Sequence, residues 1–139
     1  MISGKWIYRS FHNNTEKINN DPLKALELLF GEGELTFTSK ELNRWSATLS
    51  FGDEWVMDLA GFIEDRGLAD GFILNGTGIG RDNTNTAGWV YQYRGFVLSP
   101  WPAGVNEFPS IVGSVIRTIG HDNGAAGKVA SFIAVKIAD

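Results

Sequence analysis

A chain of 139 residues, 43% hydrophobic and 20% charged, has the size and balance of one globular domain with a core of its own. Its net charge is −4 and its 12 Lys and Arg are scattered, so it carries no basic stripe for nucleic acid or an anionic membrane. The absence of cysteine excludes disulfides and thiolate chemistry, and no apolar run approaches the roughly 18 residues of a membrane span. Met1 leads almost at once into Ser3-Gly4-Lys5-Trp6, with no charged start running into an apolar signal core, so a cytoplasmic location is expected.

Alternation with period two begins at Gly4 and runs to Phe11, with Trp6, Tyr8 and Ser10 on one side of a first strand. A polar loop, His12 to Asn20, follows. Asp21-Pro22 then supplies an N-cap and a proline at the first helical position. Leu23, Leu26 and Leu29 recur at helical spacing, which predicts a short helix over Pro22–Phe30 ended by Gly31. From there the pattern is strand and turn. Strands are predicted over Gly33–Thr38, Asn43–Phe51, Glu54–Phe62, Gly71–Gly80, Thr86–Leu98, Ser110–Ile119 and Gly127–Ile137. Gly52-Asp53, Asp70-Gly71 and Asn123-Gly124 read as turn pairs, and Asp82 to Asn85 as a polar loop.

With the first, these make eight consecutive strands joined mostly by short loops, and 17 glycines against 4 prolines suit tight turns and close strand packing. The prediction is all-β: an eight-stranded antiparallel up-and-down barrel in a single domain, residues 1–139, with one short helix after strand one. Closure removes both exposed sheet edges. A β-sandwich is the runner-up, but it needs more long crossing connections than this chain has.

Charged residues are taken to mark the outer face. That rule puts Trp45, Ala47, Leu49 and Phe51 inside opposite Arg44, and Met57 and Leu59 inside opposite Asp58. It puts Trp89, Tyr91 and Tyr93 inside opposite Gln92 and Arg94. Arg117 then turns Val112, Ser114, Ile116 and Thr118 inward, and Lys128 with Lys136 turns Val129, Ser131, Ile133 and Val135 inward. The interior so predicted is rich in Trp and Tyr. An eight-stranded barrel is just wide enough to be filled by side chains or to hold one small ligand. Tyr and Trp each bring a polar group that needs a partner when buried, and such an amphipathic lining suits a pocket for an apolar ligand. The candidate ligand-binding residues are Tyr8, Ser10, Phe37, Trp45, Met57, Trp89, Tyr91, Tyr93, Trp101, Arg117 and Ser131.

The same face assignment leaves Ile73, Ile79, Val90, Phe96, Leu98, Val115, Ile119, Phe132 and Ala134 outside on strands five to eight. One contiguous apolar patch there predicts a homo-oligomer. If some strands are inside out, Arg94 or Arg117 sits in the barrel instead.

Gly4-Lys5-Trp6 heading the first of eight antiparallel strands resembles the calycin superfamily: lipocalins, fatty-acid-binding proteins and avidins. The resemblance implies that Trp6 packs across one closed end. A helix between strands one and two is similar to the helical lid of the fatty-acid-binding proteins, and the lack of a long helix after the last strand is closer to the avidins. Biotin binding does not carry over. In the run Ile7 to His12, Tyr8 and His12 fall near the expected positions, but the avidin Asn is missing. Gly120-His121-Asp122 echoes a last-strand avidin tripeptide, yet precedes an Asn-Gly turn and is read as coincidence.

Motifs for chemistry are few. His12 and His121 read as solvated loop histidines without the clustered donors a metal needs. Gly76-Thr77-Gly78-Ile79-Gly80 opens no helix, so small residues at a barrel bend are the reading rather than a phosphate cradle. Asp58 becomes an acid–base candidate only if it is buried. The loop Ser99–Pro109 reads as a lid over the open end or as part of an oligomer interface. Neither a cofactor nor a metal is called for. The expected function is binding of a small apolar or aromatic ligand inside the cavity. The alternatives are a cofactor-independent cyclase or isomerase, using a tyrosine and Arg117 in that cavity, and a filled barrel with a purely structural role.

Overall fold

The computed structural model describes residues 2–65, 71–98 and 100–139, with the side chains of residues 39 and 40 left aside. Eight antiparallel strands close into one barrel in simple sequence order. They are β1 (Gly4–His12), β2 (Leu29–Glu41), β3 (Arg44–Ser50), β4 (Val56–Glu64), β5 (Gly71–Gly80), β6 (Val90–Leu98), β7 (Ser110–Arg117) and β8 (Val129–Ala138). β1 pairs with both β2 and β8, so no strand is left with a free edge. No helix among the described residues is long and apolar enough to cross a membrane. Asp70 of the expected Asp70-Gly71 turn, and Ser99, lie outside the described residues.

The expected helix forms, but as a 3-10 helix over Pro22–Leu28, preceded by a second 3-10 turn at Thr15–Ile18. Asp21 caps the longer one by accepting from the Leu23 N–H, and Lys24 breaks its regularity. Leu23 and Leu26 point to solvent, so no apolar face anchors an α-helix there. The chain re-enters the sheet at Leu29, four residues earlier than the sequence predicts.

Trp6 is fully buried near the start of β1, and its indole Nε1–H donates to the Ile2 carbonyl at 3.0 Å. It marks the end of the barrel at which β1 begins. Strand direction then sorts the connections. The segments 13–28, 51–55, 81–89 and 118–128 lie at the opposite, open end. The loop between β6 and β7 lies at the Trp6 end. It is therefore no lid over the opening, and Trp101 within it is 78% exposed.

Face assignment holds for β1, β3, β4 and β6 and fails for β7 and β8. Ile111 and Val115, with Ala130, Phe132 and Ala134, are buried in the core. Ser114 and Ser131 face each other across the outer wall. The cations misled because they sit at strand ends. Arg117 and Lys128 reach the open rim, and Lys136 pairs with Asp139 at 2.7 Å at the closed one. An inward position at a rim is wet, so a charge there costs little.

Large interior rings face interior glycines. A Cβ on Gly76 would lie 2.4 Å from the Trp45 ring, and one on Gly78 would lie 2.9 Å from the Tyr93 ring. Alternate glycines of β5 thus make room for aromatics from β3 and β6, which a barrel this narrow otherwise lacks.

Candidate functional site

The closed half of the barrel is solid. Trp6, Phe37 and Trp45 meet edge to face, with ring centres 6.0 and 5.6 Å apart. The void among Phe37, Trp45, Leu59 and Phe132 is only about 20 Å³, room for about one water and for no ligand. Phe37 and Trp45 therefore belong to the filled core rather than to a ligand site.

Above them a cavity of about 240 Å³ opens at the other end, walled by Tyr8, Ser10, Met57, Trp89, Tyr91, Tyr93 and Arg117 of the sequence-predicted set. Tyr8 and Tyr93 also border the small void below, so their rings form the floor. Phe132 packs beneath, stacked on Tyr8 at 5.4 Å. Burial holds both hydroxyls well above the usual phenol range. For Tyr8 the hydrogen bonds of Ser10 and Tyr93 pull the other way, and for Tyr93 the neighbouring Tyr8 and Tyr91 add to the effect of burial. Ser10 Oγ lies 3.5 Å from the Gly31 carbonyl, within the wall.

Two predicted site residues lie elsewhere. Trp101 is at the opposite end. Ser131 is on the outer face, its hydroxyl donating to Asn13 Oδ1 at 2.8 Å. Both follow from corrections already given: the direction of the β6–β7 loop and the inverted parity of β8.

Six further residues join the wall: Phe51, which the sequence already places inside, and Phe30, Gly31, Glu32, Val115 and His121, which it does not. Phe30 to Glu32 were hidden because β2 starts early, and Val115 because β7 was inverted. His121 is the important one. Asp122 and Asn123 carry φ of 47° and 64°, and His121 and Gly124 exchange backbone hydrogen bonds of 3.1 and 2.6 Å. This is a two-residue hairpin turn centred on Asp122-Asn123, one step earlier than an Asn-Gly turn. Gly124 is needed for a different reason: a Cβ there would lie 2.3 Å from the Arg117 Nη1. The turn folds His121 inward, where its ring stacks on Trp89 at 4.1 Å.

The polar groups at the mouth form one connected set. Arg117 Nε–H donates to the Tyr91 hydroxyl oxygen at 3.1 Å, and that oxygen lies 2.6 Å from His121 Nε2. His121 Nδ1 lies 3.1 Å from the Asp122 carboxylate. A guanidinium can only donate and a carboxylate can only accept, so a neutral His121 carries its proton on Nδ1 and Tyr91 donates its own to Nε2. The Arg117 guanidinium lies 5.7 Å from the Phe30 ring centre and 5.8 Å from that of Tyr91, held between two aromatic faces. His12 packs on Phe30 at 4.7 Å. Its Nδ1 is buried with no hydrogen-bond partner among the described residues. Burial, then the charges of Lys17, Lys128 and Arg117, hold its pKa below the ordinary histidine value.

Asp58 lies outside, as parity predicts, where Arg81 bonds both its oxygens at 3.1 and 2.6 Å and holds its pKa down. Among the described residues no three His, Asp or Glu side chains gather as metal ligands do.

The chain matches no protein-family model, no curated protein and no solved structure. The closed antiparallel eight-stranded barrel is compatible with a calycin-like architecture, and the class stops there.

Proposed function

We propose that the open half of this barrel binds one small, flat, mostly apolar ligand, with an oxygen of that ligand directed at Arg117. The observation that carries the reading is the division of the interior: the half next to Trp6 is packed solid, while the other keeps about 240 Å³ open among aromatic walls. A dry cavity of about 150 Å³ suffices for benzene, so this one suits a ligand of about two rings. Side chains that existed only to fill space would pack the upper half as they do the lower. The calycin resemblance of Gly4-Lys5-Trp6 supports the same reading, since those barrels carry small apolar molecules.

The test is a titration with 1-anilinonaphthalene-8-sulfonate, a fused-ring anion, followed by its own emission and by quenching of tryptophan. Trp89 and Trp55 stand together at the mouth, 5.9 Å apart, as reporters. The wild type should bind saturably at one site. Val115→Phe, which fills the cavity from its wall, should weaken binding at least tenfold. Equal binding by the two proteins would place the probe on the outer surface and overturn the reading, as would no binding at all.

A further inference from the structure

We propose that the Tyr91 hydroxyl is a proton-transfer centre, acting with Arg117 and His121 on an enolisable carbonyl compound held in the cavity. The inference rests on the cavity being a ligand site and adds a reaction to it. Two polar groups converge on one phenolic oxygen at the edge of a mostly apolar chamber, Arg117 Nε at 3.1 Å and His121 Nε2 at 2.6 Å, and the Asp122 carboxylate backs the imidazole 3.1 Å from its Nδ1. The wet rim lets Arg117 stand there at little cost, yet a wall that only has to be apolar has no use for a guanidinium, an imidazole and a phenol bonded to one another. The backbone is shaped for it as well, since the left-handed Asp122 and Asn123 aim His121 inward and Gly124 clears room for the guanidinium.

Arg117 retains unused capacity. Its Nε serves Tyr91 and its Nη1 donates to the Ala125 carbonyl at 3.3 Å. Among the described residues its Nη2 has no partner and no carboxylate pairs with it. A cationic donor left over beside a proton relay suits a reaction in which negative charge grows on an oxygen next to the atom that loses a proton. Enolisation of a ketone or ester is that reaction.

The steps balance without any co-reactant. Tyr91 passes its proton to His121 Nε2, and the imidazolium so formed lies against the Asp122 carboxylate. The phenolate oxygen takes a proton from the substrate carbon next to the carbonyl. That C–H electron pair becomes the C=C bond of an enolate, whose oxygen meets Arg117 Nη2. Tyr91 then returns the proton, to the same carbon or, in a conjugated substrate, to the far end of the π system. His121 gives back the proton it held, and the net change is an isomerisation or a hydrogen exchange. Tyr91 and Arg117 touch the reacting atoms, His121 holds the proton, and Asp122 is a positioning residue that fixes the imidazole tautomer.

The experiment uses 2-tetralone, a two-ring ketone with acidic C–H groups, in deuterated buffer. Binding is read by tryptophan quenching, and loss of the α-proton signals is read by NMR. The wild type should bind it and speed the exchange saturably. Tyr91→Phe should bind within about threefold and lose at least a hundredfold of the acceleration, in line with general acid–base catalysis. His121→Gln, which leaves the Tyr91 ring in place, should do the same if Tyr91→Phe fails to fold. Asp122→Asn should lower the acceleration and shift the His121 ring nitrogen signals away from the Nδ1–H tautomer, which a merely structural role would leave unmoved. Trp101→Ser, at the far end, should change nothing. Binding without faster exchange, or exchange equally fast in Tyr91→Phe and His121→Gln, overturns the proton-transfer role and leaves the binding function standing. Absence of quenching overturns both.

Discussion

Tyr8 and Tyr93 show what single residues contribute to this barrel. Each borders both the small void of the filled half and the open cavity, so each is at once core and cavity floor. Burial raises both above the ordinary phenol value of 10.0. The consequence for stability has a definite sign. Below pH 10 both tyrosines are neutral whether the chain is folded or not, and they make no difference. As pH rises through about 10 the unfolded chain releases two phenolic protons that the folded chain keeps. The unfolded state then binds fewer protons and stability falls, by up to about 1.4 kcal/mol per pH unit for each tyrosine. The urea midpoint should therefore drop steeply between pH 10 and 11. Tyr8→Phe and Tyr93→Phe should each flatten that drop, relative to their own midpoints at pH 8. Slopes unchanged in both variants would mean that these hydroxyls are wet in solution.

At the scale of the strand, the glycines of β5 decide how much aromatic side chain the barrel can hold. Gly76 is the sharpest case. A Cβ there would meet two atoms of the Trp45 ring at 2.4 and 2.7 Å and the Ala60 carbonyl oxygen at 2.9 Å. Trp45 is anchored by its own bond from Nε1 to the Phe62 carbonyl at 3.2 Å, so the ring cannot simply swing away. Gly76→Ala should destabilise the fold by about 1–3 kcal/mol through overpacking, read as a lower urea midpoint at constant slope. A neutral outcome would show that Trp45 is loosely held. Strand-scale features also explain what the sequence disclosed. In β4 and β6 the charges of Asp58 and Arg94 fall mid-strand, where an inward charge is prohibitive, so parity could be read directly. In β7 and β8 the cations sit at strand ends, and the outer face carries Val112 and Ile133, so neither side looked polar. The small-large-small run Ala130, Phe132, Ala134 was the available signal for the inner face. His121 was out of reach, because its position follows from a turn centred one residue away from the obvious Asn-Gly pair.

For the molecule as a whole, the corrected parity redraws the outer surface without emptying it of apolar residues. Val115, Phe132 and Ala134 leave the expected patch for the core. Val112 and Ile133 take their place, aligned by the strand register with Phe96 in one row across β8, β7 and β6, while Ile73, the next residue in register on β5, is buried. Leu98 and Val135 lie beside that row, and Phe96, Leu98 and Ile133 remain between 38% and 45% exposed. A contiguous apolar row on a barrel wall is the mark of an interface, and we propose that a second copy of the chain covers it. The wild type should then sediment above the 15.2 kDa of one chain, and Phe96→Lys combined with Ile133→Lys should return it to that mass. Both side chains stand on the outer wall, so the variant should keep the circular dichroism and the probe binding of the wild type. A variant that unfolds would instead place these residues in the core and refute the parity assigned to β6 and β8. A wild type that is monomeric at every concentration would remove the interface and leave the cavity as the surviving reason for so many aromatic residues in so small a chain.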